Sequence, residues 1–330
     1  MPDKVSAVLV VGAGVGGIRA ALDLAESGFW VHLIDRSPSI GGTLARLDTW
    51  FPDNQCEMCK LLPVFSRDKC SQFCLRRDMY HPNIELIPDT QVEKVEGEAG
   101  NFMVLLKTES RWVKRERCTA CGLCVDVCPV EIPDEFNEGL QKRKAIGVSN
   151  PQAMPNVYAI DREHCTKCGK CVEICPTGAV DLDLPDESRE LAVGAIIAAI
   201  GSGEFNAATM GQYGFGRYDN VLTNIRLERL LASDDPTRGQ LLRPSDSKPP
   251  QTVAILQCVG SRDIERNYCS AVCCMYALKE AILIKEQNPQ AEVTIFYMDL
   301  RAFGKGYYRY YLQAKNLGVN FVRTRVSAIR

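Results

Sequence analysis

Cysteine spacing constrains this chain more tightly than any other feature. Cys118, Cys121, Cys124 and Cys128 follow C-x2-C-x2-C-x3-C and precede Pro129; Cys165, Cys168, Cys171 and Cys175 repeat the pattern and precede Pro176. Three cysteines this close wrap one side of a metal centre, and the fourth, ahead of its proline, crosses to the other centre. On that rule Cys118, Cys121, Cys124 and Cys175 hold one [4Fe–4S] cluster, and Cys165, Cys168, Cys171 and Cys128 hold the second. Zinc is the competing metal, since C-x2-C is also half a zinc ribbon, but zinc sites seldom repeat this whole run.

The double run is that of bacterial two-cluster ferredoxins. Eight further cysteines are arranged differently. Cys56, Cys59, Cys70 and Cys74 form one set, and Cys258, Cys269, Cys273 and Cys274 another. Both share C-x10-C-x3-C, and an x3 gap predicts two thiols on one helical face, one turn apart. A cluster, a zinc ion, buried structural cysteines, and a redox-active C-x-x-C at Cys56 and Cys59 are all open readings of these sets.

Composition narrows the setting. Sixteen cysteines accompany 39 Lys+Arg and 41 Asp+Glu, a formal charge of −2, so no basic field recruits nucleic acid. No apolar run approaches the roughly eighteen residues of a membrane span. The Val5–Val11 stretch runs into Gly12 and is too short for a signal peptide. The expected compartment is a reducing cytoplasm, where thiols serve as ligands rather than as disulfides.

The amino terminus adds a second strong pattern. A strand at Val8–Val11 leads to Gly12-x-Gly14-x-x-Gly17, then an amphipathic helix, Gly28, a strand at Trp30–Ile34, and Asp35-Arg36. Gly12 and Gly14 allow the backbone to approach a pyrophosphate, Gly17 allows close helix packing, and Asp35 can accept ribose hydroxyls. The fingerprint alone does not separate FAD from NAD. Gly41-Gly42 after the acid, and GAIIAAIGS ending at Gly201, resemble marks of flavoprotein disulfide reductases, with Ile200 replacing the usual threonine; they favour FAD.

Strand alternation over Gln91–Leu106 and again over Glu190–Ile200 brackets the cysteine run, which therefore reads as an insertion in the flavin domain. After the polar stretch Ser233–Gln251 comes another βαβ unit, with a strand over Thr252–Gln257, a helix over Ala271–Lys285 and a strand over Val293–Met298. Its first turn reads Cys258-Val-Gly-Ser-Arg-Asp, without the glycines of a nicotinamide cradle. The expected fold is α/β: a Rossmann-like FAD domain of thioredoxin-reductase type, an inserted two-cluster ferredoxin module, and a second βαβ domain lacking the NAD fingerprint. The expected domains are 1–110, 111–185, 186–250 (returning to the FAD domain) and 251–330.

Together these stretches resemble the A-type subunit family of heterodisulfide reductase, iron–sulfur flavoproteins of methanogens and anaerobic bacteria. QCVGSRD, YCSAVCCMYALKEA and EVTIFYMDLRAFGKG carry the likeness, alongside the glycine fingerprint and the double run. The A-type subunit of the quinone-interacting oxidoreductase of sulfate reducers is a close relative. The resemblance implies FAD, clusters in the ferredoxin module, and a further cluster at Cys258, Cys269, Cys273 and Cys274. It also implies that Lys279 approaches the flavin, where a cation stabilises reduced flavin; the bland alternative is a surface helix lysine. The family also has cluster domains before the fingerprint and at the carboxy terminus. Their patterns are not in these residues, so either a shortened chain or a partner-supplied remainder is expected.

The implied function is electron transfer within a hetero-oligomeric complex. FAD would take electrons from a donor subunit of hydrogenase, formate dehydrogenase or NADH-oxidising type and pass them singly to clusters, with bifurcation to disulfide and ferredoxin as the fullest form. Two rivals remain: an NAD(P)H-dependent flavoprotein reductase, and a cluster-bearing adaptor without flavin. His32, His81 and His164 are scattered and read as structural or surface residues. The aromatic and basic Gly304–Tyr311 segment reads as a docking loop or a core-facing helix start.

Overall fold

The structure is a computed structural model describing residues 6–47, 49, 51, 81–150, 153–232 and 237–330. Cys56, Cys59, Cys70 and Cys74, and the cluster expected there, lie outside the described residues. The described residues form two compact units, one over 6–45 and 81–202, the other over 46–51 and 203–330.

The first unit opens with β1 (Ala7–Val11), α1 (Val15–Glu26), β2 (Trp30–Ile34) and β3 (Ile84–Ile87). The run AVLVV is apolar throughout because β1 is covered on both faces. Val8 and Val10 pack with Ile18, Ala21, Leu22 and Ala25 of α1. Leu9 faces the other way, onto Val104, Leu106, Leu191 and Val193. Those four belong to an antiparallel sheet built from β4 (Thr90–Glu98), β5 (Asn101–Thr108) and β10 (Glu187–Val193).

Between β5 and β10 lie α2 (Leu123–Asp126), β6 (Glu131–Pro133), β7 (Lys142–Lys144), β8 (Ile146–Gly147), β9 (Ala159–Ile160) and α3 (Lys170–Ile174). Thr108 pairs with Glu187, so this cysteine-rich module leaves the sheet and returns to it at one place. The strand expected over Glu190–Ile200 is two strands. It breaks at Gly194, whose N–H bonds Ala7 O at 2.8 Å. The second piece, β11 (Ala195–Ala198), crosses over to pair in parallel with β1, giving the parallel order β11-β1-β2-β3. A one-residue glycine hinge thus lets one chain segment serve two sheets.

The second unit contains α4 (Asn224–Leu231), β12 (Thr252–Leu256), α5 (Cys273–Gln287), β13 (Glu292–Tyr297), α6 (Tyr307–Asn316) and β14 (Asn320–Arg323). Its strands form a parallel sheet in the order β12-β13-β14. Helix α5 lies at the centre of its core, where Met275, Ala277, Leu278, Ala281 and Ile282 are fully buried against Val293 and Ile295. Each such large apolar side chain contributes about 1.5–3 kcal/mol relative to exposure. The Gly304–Tyr311 segment is the start of α6: Tyr310 is buried, and Tyr307 packs edge-on to Phe51 at 5.4 Å.

Candidate cofactor sites

The glycine fingerprint sits where β1 turns into α1. Gly12 has φ +99°, and a Cβ there would stand 2.4 Å from Ala199 O. A Cβ on Gly17 would stand 1.7 Å from Gly12 O, so only glycine lets helix and strand approach this closely. Gly14 is the N-cap of α1 and offers no side-chain bond to the first-turn amides. Those amides and the helix dipole present a positive end suited to an anionic group.

Asp35, at the end of β2, accepts from Ala13 N at 2.7 Å and Ser37 N at 2.8 Å, which fixes its carboxylate beside the glycine turn. Gly41 donates to Ala13 O at 2.8 Å, and Gly42 lies so close that its Cβ would be 3.1 Å from Gly14 Cα. Thus Gly12, Gly14, Gly17, Asp35, Gly41 and Gly42 converge on one turn. The donors and the side-chain-free backbone fit a dinucleotide. Arg36 is exposed beside this group. Gly201 has φ +72° and follows Ile200, which is 78% exposed, with open space where a Cβ would stand.

The double cysteine run closes into two cavities, each of mixed origin. Cys118, Cys121 and Cys124 line one together with Cys175. Cys165, Cys168 and Cys171 line the other together with Cys128. Apolar side chains complete each wall: Val113, Leu123 and Val180 in the first, Ile146, Ile160 and Leu182 in the second. Gly122 and Gly169, both left-handed caps, start the short helices that carry Cys124 and Cys171 into the module core.

Burial and the neighbouring Cys118 and Cys121 push the Cys124 thiol up to about 11. Cys171 is raised for the matching reasons, burial and then Cys165. Burial also raises Cys175, but bonds from Thr177 and from the Ala179 and Val180 amides outweigh it and leave this thiol at about 7. Among the described residues no three cysteine, histidine or acidic side chains converge as ligands of a single ion. Four thiolates on one zinc would stand about 3.8 Å apart, given a Zn–S bond of about 2.3 Å. A ring of thiols around a cavity suits a larger, polynuclear centre instead.

The third set occupies the turn after β12. In the first unit a strand passes into its helix within three glycine-rich positions; here residues 257–272 intervene before α5. Cys258, Arg262 and Ala271 hold positive φ in this loop. No phosphate-binding turn remains among these described residues. Cys258 is raised by burial and then by Cys273, with Cys269 adding to the effect and Arg262 opposing it. Cys273 is held down at about 6 by its bond with Cys274, whose own thiol is pushed far up by that bond and by burial. The expectation that Cys269 and Cys273 share a helical face is corrected: α5 begins at Cys273, and Cys269 lies in the preceding loop, accepting from Ala271 N at 3.4 Å. The sharp turn through Ala271, rather than a helical turn, brings it round.

Lys279 is not a surface lysine. It is fully buried on α5, bonds Glu228 Oε2 at 2.6 Å and Thr49 O at 2.7 Å, and stands 5.0 Å from the Tyr276 ring centroid. Beside it Glu280, also fully buried, accepts from Asn224 Nδ2 at 2.9 Å. Burial, then the Glu228 charge, raises the Glu280 carboxyl well above the ordinary glutamate value, while Lys279 opposes them.

Sequence reading missed Glu228, Glu280 and Asn224. A signal existed for Glu228, which falls three residues from both Ile225 and Leu231 on the buried face of α4. It also missed Arg111, buried where the module leaves the sheet, which bonds Asp89 and reaches Pro38 O at 3.2 Å. The histidines have local partners: His32 with Glu85 at 2.6 Å, His164 with Asp161, and His81 accepting from Asn83 N at 3.1 Å.

The family described as FAD dependent oxidoreductase matches residues 7–58, and that described as 4Fe-4S dicluster domain matches residues 117–179. The chain is 50% identical over 331 residues to the second A-type iron-sulfur subunit of the CoB–CoM heterodisulfide reductase of Methanopyrus kandleri, covering 99% of this chain and 49% of that one. It is 48% identical over 336 residues to the A-type subunit of the H(2)/formate:CoB-CoM heterodisulfide,ferredoxin reductase of Methanococcus maripaludis, covering 100% and 50%. To the A-type subunit of the H(2):CoB-CoM heterodisulfide,ferredoxin reductase of Methanothermobacter marburgensis it is 43% identical over 325 residues, covering 97% and 48%. The chain spans about half the length of these relatives. No described helix is long and apolar enough to cross a membrane.

Proposed function

We propose that this chain, which belongs to the A-type subunit family of heterodisulfide reductase, is an electron-transfer subunit passing electrons between a partner donor, FAD and [4Fe–4S] clusters. Bound FAD supplies exchange between two-electron and one-electron chemistry, and the clusters carry single electrons. In this reading the Gly12, Gly14 and Gly17 backbone receives the FAD pyrophosphate and Asp35 its ribose hydroxyls, with Arg36, Gly41, Gly42 and Gly201 framing the rest. Cys118, Cys121, Cys124 and Cys175 hold one cluster; Cys128, Cys165, Cys168 and Cys171 hold a second. Cys258, Cys269, Cys273 and Cys274 hold a third, and Cys56, Cys59, Cys70 and Cys74 remain the candidate set for a fourth.

One observation carries the reading: each cysteine triplet shares a cavity with the proline-flanked cysteine of the other, in a module rooted on paired strands of the fingerprint unit. Lys279 is the proposed cation toward the flavin. Because Glu228 is paired with it, the field it offers outward is that of the pair rather than of a lone charge. The proposed partners are further heterodisulfide-reductase-type subunits in a hetero-oligomer, with a hydrogenase, formate dehydrogenase or NADH-oxidising donor and a ferredoxin acceptor. Bifurcation to a disulfide and to ferredoxin is the fullest form of this function. The long loop over 257–272 speaks against NAD(P)H as a direct reductant bound in the second unit.

Metal and flavin analysis of anaerobically prepared protein tests this reading. About eight iron atoms accompany the ferredoxin pair, about twelve the three described sets and about sixteen all four, with one FAD. Tight zinc in place of iron overturns it. Iron without extractable FAD favours the adaptor reading.

A further inference from the structure

The two halves of the cysteine module are near-copies in sequence and in backbone. Residues 115–128 read RERCTACGLCVDVC and residues 162–175 read REHCTKCGKCVEIC. Ala120 and Lys167, at matching positions, both hold positive φ (54° and 51°), and Gly122 and Gly169 match likewise (89° and 79°). The halves therefore differ in side chains rather than path. Within the triplets, Lys167 stands where the first half has Ala120, and Lys170 where it has Leu123.

Geometry keeps these cations at the second site. Lys170 lines the cavity of Cys128, Cys165, Cys168 and Cys171, whereas Leu123 lines that of Cys118, Cys121, Cys124 and Cys175. Lys167 donates its backbone N–H to Cys165 Sγ at 3.4 Å, and its Nζ is held 4.6 Å from the ring centroid of Trp112, whose core holds cysteines of both sites. Its one acidic neighbour of note, Asp183, is 3.7 Å away and 94% exposed, so water screens much of that pairing. The first half has one flanking cation of its own, Arg117 in place of His164, outside the triplet. The first site has the richer sulfur bonding, since its Cys175 Sγ accepts from Ala179 N at 3.2 Å and lies 3.6 Å from Thr177 Oγ1. Two full charges inside the triplet outweigh those neutral dipoles, because cluster potential follows local net charge as well as sulfur bonding.

We propose that the two sites hold an electron unequally, the site of Cys128, Cys165, Cys168 and Cys171 taking it first because Lys167 and Lys170 stand at its edge. This rests on the ligand sets proposed above. A single electron supplied to the module reduces the second site by one unit and leaves the first oxidised; passage from first to second oxidises one as it reduces the other. Both lysines are largely solvated, so the preference they supply is modest, about tenfold, or 59 mV for a one-electron couple.

The test is an anaerobic redox titration of the whole chain with dithionite, followed by electron paramagnetic resonance, beside iron analysis of each variant. The expected result is two separate midpoints for the module. Lys167→Ala with Lys170→Leu lowers the higher midpoint by about the stated shift, and leaves iron content and the lower midpoint in place. The reverse exchange, Ala120→Lys with Leu123→Lys, raises the lower midpoint and so tests the idea should the first variant fail to load iron. Full iron with midpoints unmoved by either exchange, or lysine removal that shifts the lower midpoint instead, overturns the proposal. Wild-type protein without iron overturns the ligand sets themselves, a different failure with a different readout.

Discussion

The ammonium of Lys279 and the carboxylate of Glu228 meet at 2.6 Å with both side chains out of reach of solvent. A buried pair of this kind is costly to break from one side, because the remaining charge stays desolvated. Lys279→Met is expected to destabilise the chain by about 3–5 kcal/mol. Adding Glu228→Leu should recover most of that loss, since a well-packed apolar pair is often neutral in such a place. Urea unfolding of the two variants reads the difference; equal losses in both would show that the pair is not the source.

Glu280 gives that cluster a pH dependence. Burial and Glu228 raise its carboxyl above the ordinary value of 4.5, with Lys279 and the Asn224 amide opposing. The native state therefore holds a proton that the unfolded chain releases near 4.5. Its stabilising effect is complete below that value and is lost as pH rises through the folded value, by at most about 1.4 kcal/mol per pH unit. Glu280→Gln keeps a neutral acceptor for Asn224 and should flatten this slope. Unfolding free energies measured across the range check it, and an unchanged slope counts against a proton on Glu280.

The cysteine crossover can be tested by choosing pairs. Cys118→Ala with Cys175→Ala removes two thiols from one cavity and should cost one cluster, about four iron atoms. Cys118→Ala with Cys128→Ala takes one thiol from each cavity and should disturb both. If the two doubles lose the same iron, the sites are not built across the triplets.

Gly17→Ala would place a methyl group 1.7 Å from Gly12 O. The strand–helix turn must open, so FAD retention is expected to fall sharply while the ferredoxin iron stays. Flavin absorbance per iron after gel filtration measures it. An unchanged ratio would mean that the flavin does not use this turn.

Much of this was legible in the sequence, for physical reasons that differ from site to site. Cys118–Cys128 and Cys165–Cys175 could be read because cluster ligation fixes spacing locally. β1, α1 and Asp35 could be read because the turn admits only glycine at Gly12 and Gly17. The break at Gly194 could not, since the apolar stretch from Leu191 to Ala198 runs from β10 into β11 without a polar interruption and only their partners, β5 and β1, differ. Nor could the position of Cys269, because the Cys269–Cys273 spacing suits a helix as well as the loop it occupies. Lys279 was found through family likeness; its partner Glu228 needed the fold, because the burial pattern of α4 marks that position as inward-facing without saying which helix it meets.

Electron exchange between the flavin and the clusters of one chain is the core of the proposed function. It is tested most directly by reducing the anaerobic protein with less than one electron pair per chain and recording flavin absorbance and cluster resonance together. Both signals should change at once, in proportions set by their potentials and independent of protein concentration. Electrons recovered entirely as bleached flavin while the clusters stay oxidised, at every dose and dilution, would contradict it.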